Sequence, residues 1–299
     1  MRSKSLVILL AAYNGQKWLQ TQIDSILYTR CEVDLELSLS VDVSNDATLE
    51  ICNRYATIDT RVSILPYGDR YGGAGKNFYR LLKDTDLICY DYIAFCDQDD
   101  IWHENKLPRA IEKLQQYDCY SSNVTAFWED GREVLIDKAQ PQRKWDFLFE
   151  AAGPGCTYVF KREVAIDFKA WLLERYQQVG EDIALHDWLL YAFARCRGYS
   201  WYIDPEPMMR YRQHANNQVG TNNSLAAAQK RLKLIKNKWY RNQVVKIIEH
   251  LGLQETPIFK RGINNGYLGN LFLLLNVDKL RRRLRDRIAL ALVLVLNIF

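Results

Sequence analysis

The sequence predicts an α/β fold with a mostly parallel, Rossmann-like sheet, followed by a helical, basic C-terminal extension. Three observations lead there. Short apolar runs alternate with segments of helical period over residues 1–116, the pattern of a parallel sheet with crossover helices. The fourth run, Tyr92-Ile93-Ala94-Phe95-Cys96, ends in Asp97-Gln98-Asp99-Asp100, and open α/β sheets bind ligands at the carboxyl ends of their strands. The last quarter is basic: residues 225–299 carry 15 Lys+Arg against 4 Asp+Glu, leaving 25 against 32 for residues 1–224.

Leu6–Ala12 is a continuous apolar run that reads as a buried first strand, and Leu19, Ile23, Ile26 and Leu27 recur at helical spacing after a Tyr-Asn-Gly turn. Leu35, Leu37, Leu39 and Val41 alternate with polar residues as a second strand, ending in Asp42-Val43-Ser44-Asn45-Asp46 before a helix around Thr48–Tyr55. Arg61–Leu65 is a third strand, Gly72-Gly73-Ala74-Gly75 a loop, and Lys76–Lys83 a third helix. Beyond Gln116 the predicted elements are a strand over Ser121–Trp128, a strand over Cys156–Phe160 after the turn Gly153-Pro154-Gly155, and a helix over Leu185–Arg195. From Ser224 the chain turns helical, with Ala226–His250 long and basic, Phe259–Leu275 apolar, and Asp278–Phe299 basic and then apolar.

A chain of 299 residues with 48% hydrophobic and 25% charged residues buries a substantial core and is not disordered. Its seven cysteines are odd in number and contain no C-x-x-C pair, which fits reduced thiols in a cytosolic compartment better than a disulfide framework or a zinc site. The apolar run after Met1-Arg2-Ser3-Lys4-Ser5 imitates a signal peptide but lacks a small-residue cleavage pattern.

The acidic cluster carries the chemistry. Three carboxylates at the mouth of a buried strand repel one another and are costly to desolvate, so a bound cation with a phosphate ligand explains them better than a solvated acidic turn.

With Ala12-Tyr13-Asn14-Gly15, Asp42 with Ser44, Asp46 and Thr48, Gly75-Lys76-Asn77-Phe78, Asp97-Gln98-Asp99-Asp100-Ile101-Trp102, Gly155-Cys156-Thr157, His186-Asp187-Trp188 and Tyr211-Arg212-Gln213-His214 running on to Gly220, the chain resembles the family 2 glycosyltransferases, and within them the bacterial rhamnosyltransferase-like branch. The motifs arrive in the family's order over residues 6–221. The resemblance implies a GT-A fold over residues 1–223, with a nucleotide-sugar half (1–116) and an acceptor half (117–223), and inverting transfer from a nucleoside diphosphate sugar. It implies donor nucleotide binding by Ala12, Tyr13, Asn14, Asp42, Lys76 and Asp97, with Asp42 receiving the base. It places Asp99 and His214 on Mg²⁺ or Mn²⁺, and Asp100, Trp102, Cys156, Trp188 and Arg212 around the donor sugar and acceptor. Asp187 is then the general base that deprotonates the acceptor hydroxyl. The chain departs from the family at Val41-Asp42, where two adjacent acids are usual, so any role of that pair rests on Asp42 alone.

The resemblance implies dTDP-L-rhamnose as donor and a lipid-linked oligosaccharide as acceptor in bacterial surface polysaccharide assembly, with UDP-glucose, UDP-galactose or another sugar nucleotide as the alternative donor. An aspartate-nucleophile phosphatase and a non-catalytic carbohydrate-binding relative are the rival readings; the first lacks its expected Thr or Val at Ile101, and the second has no need of Asp187. Arg281, Arg282, Arg283, Arg285 and Arg287 precede Ile288–Leu296, which falls short of the about 20 apolar residues that cross a bilayer. Residues 224–299 therefore read as a membrane-association region on the anionic cytoplasmic face of the inner membrane, with an oligomer-forming or core helix as the alternative. No nucleic-acid motif accompanies the charge.

Overall fold

The computed structural model describes residues 3–29, 31–214, 234 and 237–299. β1 (Ser5–Ala12), β2 (Asp34–Val41), β3 (Val62–Ile64) and β4 (Tyr92–Asp97) pair in parallel in the order β4-β1-β2-β3, joined by α1 (Leu19–Leu27), α2 (Thr48–Ile58) and α3 (Ala74–Asp84). β1 is apolar from Leu6 onward because both its faces are covered there. Val7, Leu9 and Ala11 enter a core with Phe78 and Leu82 of α3, while Leu6, Ile8 and Leu10 enter a second core with Leu19 and Ile23 of α1.

The second half adds β5 (Ile101–Trp102), α4 (Lys106–Lys113), β6 (Cys119–Ser122), β7 (Val124–Phe127), β8 (Glu133–Ile136), β9 (Val159–Lys161), α5 (Arg162–Leu173), α6 (Tyr176–Asp182), α7 (His186–Cys196), β10 (Trp201–Asp204) and β11 (Met209–Arg212). The main sheet becomes β10-β6-β9-β4-β1-β2-β3, with β9 antiparallel to both neighbours, and a smaller sheet runs β5-β11-β7-β8. Two expected strands are corrected here. The strand expected over Ser121–Trp128 is split between the two sheets at Asn123, whose side chain bonds the Asp137 carboxylate, the Pro205 carbonyl and the Lys138 amide. The strand expected from Cys156 starts only at Val159, because Gly155–Thr157 forms a 3₁₀ turn in which the Thr157 hydroxyl and amide both donate to the Pro154 carbonyl.

The C-terminal region is helical, as α8 (Trp239–His250), a π-helical segment (Ile258–Ile263), α9 (Gly266–Leu274) and α10 (Leu284–Val295). Part of the expected helix over Ala226–His250 lies outside the described residues. Val244, Ile248, Leu273, Leu290 and Leu294 join the same core as Phe78 and Phe95, so this region packs on the α/β body. The arginine run is not all solvated: Arg282 is fully buried, donating to Asp146 at 2.9 Å and pairing with Glu150 at 3.4 Å. A charge so placed belongs to the interior, a correction to the expected membrane-facing row. Among the described residues no helix is long and apolar enough to cross a membrane.

Candidate active site

Parallel pairing brings the ends of β1, β2 and β4 to one edge of the sheet. Ala11 pairs with Asp97 and Ala12 with Val41, and the Asp42 amide donates to the Ala12 carbonyl at 2.8 Å. A cavity of about 1520 Å³ opens there. Ala12, Tyr13, Asn14, Asp42, Asp97 and Asp99 line it from the strand ends, and Asp187, Trp188, Tyr240, Arg281 and Phe299 line it from α7, α8 and the C-terminus.

The loops are clamped to one another. Gln98 accepts from the Tyr13 amide at 2.7 Å and donates to the Tyr13 carbonyl at 2.8 Å, and a Cβ at Gly15 would collide with the Gln98 side chain. Asn14 sits in the left-handed region at φ 46°, a conformation that asparagine tolerates, and its side chain accepts from the Asn45 amide at 3.0 Å. Ser44 and Thr48 accept from the Asn14 and Gly15 amides, so their work is to hold this loop. Asp42 is buried, and its two oxygens accept from the Tyr71 and Gly72 amides at 2.9 Å each, which draws that loop onto the cavity.

Asp97 and Asp99 both line the cavity. Burial pushes the Asp97 carboxyl up to about 7, and the charges of Asp99 and Asp187 push the same way. Asp99 Oδ2 lies 2.7 Å from His214 Nε2, and the imidazole stacks on Trp18 with centroids 4.1 Å apart. Carboxylate oxygens beside an imidazole suit a hard divalent cation such as Mg²⁺ or Mn²⁺, which would relieve the mutual repulsion. Asp97, Asp100 and Cys156 also cluster, with ligand atoms within 4.8 Å, but Asp100 and Cys156 are buried behind the cavity wall and a thiol is a soft ligand. The hard donors in contact are Asp99 and His214, with Asp97 on the same cavity wall.

Asp187 stands at the first turn of α7 and reaches the cavity. Burial holds its carboxyl up at about 6, opposed by the Trp188, Asp187 and Gly155 amides and the Lys138 charge. Gly155 permits the close packing: a Cβ there would lie 2.8 Å from Asp187 Cβ and 2.9 Å from His186 Nε2. His186 stacks on Phe78 with centroids 3.9 Å apart, and burial drives its imidazole down to about 3, so it is a neutral packing element. Trp188 donates to the Phe147 carbonyl at 2.9 Å and stacks on Tyr240 of α8.

Five expected site residues are placed elsewhere. Lys76 is exposed and does not line the cavity, because α3 starts at Ala74 and turns Asn77 inward instead. Trp102 is buried in the core with the Lys106 ammonium 3.4 Å from its ring centroid. Asp100 accepts from the Arg212 amide at 2.9 Å in full burial, and burial holds its carboxyl well above the usual range, with the Asp99 and Asp97 charges adding to it. Cys156 is buried beside these acids. Arg212 donates to the Asp99 carbonyl at 2.8 Å, bracing the acidic loop. Sequence reasoning missed Trp18, Arg70, Asn77, Lys138 and Tyr240 as lining residues. Asn77 had a signal, since it follows Lys76 within the same motif; Lys138 and Tyr240 had none.

Residues 7–164 match the profile of Glycosyl transferase family 2. The chain is a family 2 glycosyltransferase. This glycosyltransferase is 50% identical over 293 residues to a protein of Shigella flexneri named dTDP-rhamnosyl transferase RfbG, covering 97% of this chain and all of the relative. It is 25% identical over 229 residues to the amylovoran biosynthesis glycosyltransferase AmsB of Erwinia amylovora, covering 71% and 70%. Its GT-A fold is shared with Staphylococcus aureus TarS 1–349 solved with UDP (TM-score 0.57, 13% identity, 97% and 90% coverage). It is also shared with the Pyrobaculum calidifontis mannosyltransferase PcManGT solved with GDP-Man and Mn²⁺ (TM-score 0.52, 14% identity, 100% and 82% coverage).

Proposed function

We propose that this glycosyltransferase moves L-rhamnose from dTDP-L-rhamnose, with inversion, to a lipid-linked saccharide at the cytoplasmic face of the bacterial inner membrane. The near full-length likeness to a dTDP-rhamnosyl transferase supports the donor. The observation that carries the reaction is a single cavity holding both Asp187 and the Asp97–Asp99–His214 group.

Asp187 takes the proton from the acceptor hydroxyl as that oxygen attacks the anomeric carbon, and a carboxyl held near 6 is matched to that work at neutral pH. Asp42 and the Tyr13–Asn14 turn hold the nucleoside, and Asp97 and Asp99 with His214 hold Mg²⁺ or Mn²⁺. The cation, when bound, stabilises the negative charge that builds on the departing diphosphate. Membrane association is supported by an exposed apolar surface on the last two helices, including Leu268 and Leu275 near α9 and Leu284, Ile288 and Leu292 on α10.

The test is a thermal-stability screen of dTDP-L-rhamnose, UDP-glucose and UDP-galactose, each with and without Mg²⁺ or Mn²⁺. A rise with dTDP-L-rhamnose that needs the cation is expected. A larger rise with a uridine sugar would reassign the donor.

A further inference from the structure

The cavity lining falls into two chemical groups. Asp42, Asp97 and Asp99 from the strand ends and Asp187 from α7 are acidic, whereas Lys138, Arg281, Arg283 and Arg285 outnumber the acids Glu150 and Asp286 that line the cavity with them, Asp286 lying 3.3 Å from Arg285. The two groups adjoin at Asp187: Lys138 sits among Glu150, Arg281, Arg282 and Asp286 and its charge also reaches Asp187, which in turn acts on Asp97. A donor diphosphate that arrives with its cation is accounted for at the acidic group. The basic group is cation-rich without a metal and is built to meet a second anion.

What flanks it narrows the ligand. Arg281 donates to the Phe149 carbonyl at 2.8 Å and Arg282 is locked in the core, so the arginine row has a fixed base. Beside it the lining is apolar, from Ala289, Leu290, Val293 and Phe299. An anion site running into an apolar wall fits an amphiphile with a phosphate head and a hydrocarbon tail. The opposite side of the same helix exposes Leu284 at 69%, Ile288 at 55% and Leu292 at 59%, spaced four residues apart, a stripe suited to a lipid surface.

We propose that Arg281, Arg283, Arg285 and Lys138 form the site for the diphosphate of an isoprenoid-type lipid acceptor, whose chain leaves along α10 into the bilayer. This rests on the reading above that the acceptor is lipid-linked, and it adds the group that recognises it.

The test uses the full chain, saturated with dTDP and Mg²⁺ so that the donor site is filled, and farnesyl diphosphate as the probe, with binding followed by calorimetry. The wild type binds farnesyl diphosphate, and the double variant Arg283→Glu/Arg285→Glu binds it at least about tenfold more weakly, as expected when two charge-assisted contacts become repulsive. Both partly solvated side chains can be changed without disturbing the core, and an unchanged response to dTDP and Mg²⁺ shows that the variant is folded. Equal binding of farnesyl diphosphate by the variant overturns the proposal. So does inorganic diphosphate binding as tightly as farnesyl diphosphate (a free-anion site), farnesol doing so (an apolar groove), or phosphatidylglycerol vesicles displacing the probe completely (a general lipid surface). Failure of the wild type to respond to dTDP and Mg²⁺ would strike the donor assignment, and that result is distinct from all of these.

Discussion

His214 Nε2 lies 2.7 Å from Asp99 Oδ2, which joins the end of the small sheet to the acidic loop after β4. Replacing either partner removes a ligand from the proposed cation site without emptying the core. Asp99→Asn and His214→Ala are each expected to raise the Mn²⁺ concentration needed for donor binding by at least the roughly 10–100-fold that loss of an outer-sphere partner costs. Mn²⁺ titration followed by electron paramagnetic resonance checks this, and an unchanged curve would remove the pair from the site.

Asp187→Asn keeps the shape of the side chain but cannot accept a proton. Turnover is expected to fall by about 10²–10⁴, with donor affinity held within a few fold. The pH profile follows from the raised carboxyl: the base works deprotonated, so kcat rises with pH through about 6 and levels above it. The same shift has a stability sign. The folded carboxyl keeps its proton to higher pH than the unfolded one, so its contribution favours the fold below the ordinary carboxylate range and is lost as pH rises through about 6. A wild-type profile flat from pH 5 to 8 would take the proton transfer away from Asp187.

Arg282 is an interior charge whose removal leaves Asp146 with Arg195 as its cation and Glu150 with only Arg281, at 3.9 Å. Arg282→Met is expected to destabilise the protein by about 3–5 kcal/mol, the usual cost of breaking a buried pair from one side. Arg283→Met, at a partly exposed position, should cost less than about 0.5 kcal/mol. Urea denaturation separates them; equal midpoints would mean that the buried network contributes nothing.

Because Leu280, Leu290 and Leu294 are core residues, membrane attachment is best probed on the surface rather than by truncation. Leu284→Ser/Ile288→Ser/Leu292→Ser should abolish flotation with anionic liposomes while leaving the response to dTDP and Mg²⁺ intact, and raised salt should weaken flotation of the wild type. Retained flotation of the triple variant would place the contact elsewhere.

The α/β half was legible because its signals are local. Leu6–Ala12 is apolar throughout since both faces of β1 are covered, and the strand delivering Asp97 announces its own end. The site was legible where a motif residue also lines the cavity, as with Asp42, Asp97, Asp99 and Asp187. It was not legible where one residue's displacement along a helix decides inward from outward, as with Lys76 and Asn77. Nor does local sequence separate Arg282 from Arg281 and Arg283: its burial depends on Asp146 and Glu150, more than 130 positions away. Tyr240 likewise reaches the cavity only through the packing of α8 against α7, where it stacks on Trp188.

The most direct measurement is sugar transfer itself, using purified protein, dTDP-L-rhamnose labelled in the sugar, and a bacterial lipid extract as the source of acceptor. The account predicts that label moves into the lipid fraction with Mg²⁺ or Mn²⁺, stops in excess chelator, and falls to near background with Asp187→Asn. Full transfer in excess chelator, or transfer from UDP-glucose with dTDP-L-rhamnose left intact, would contradict it.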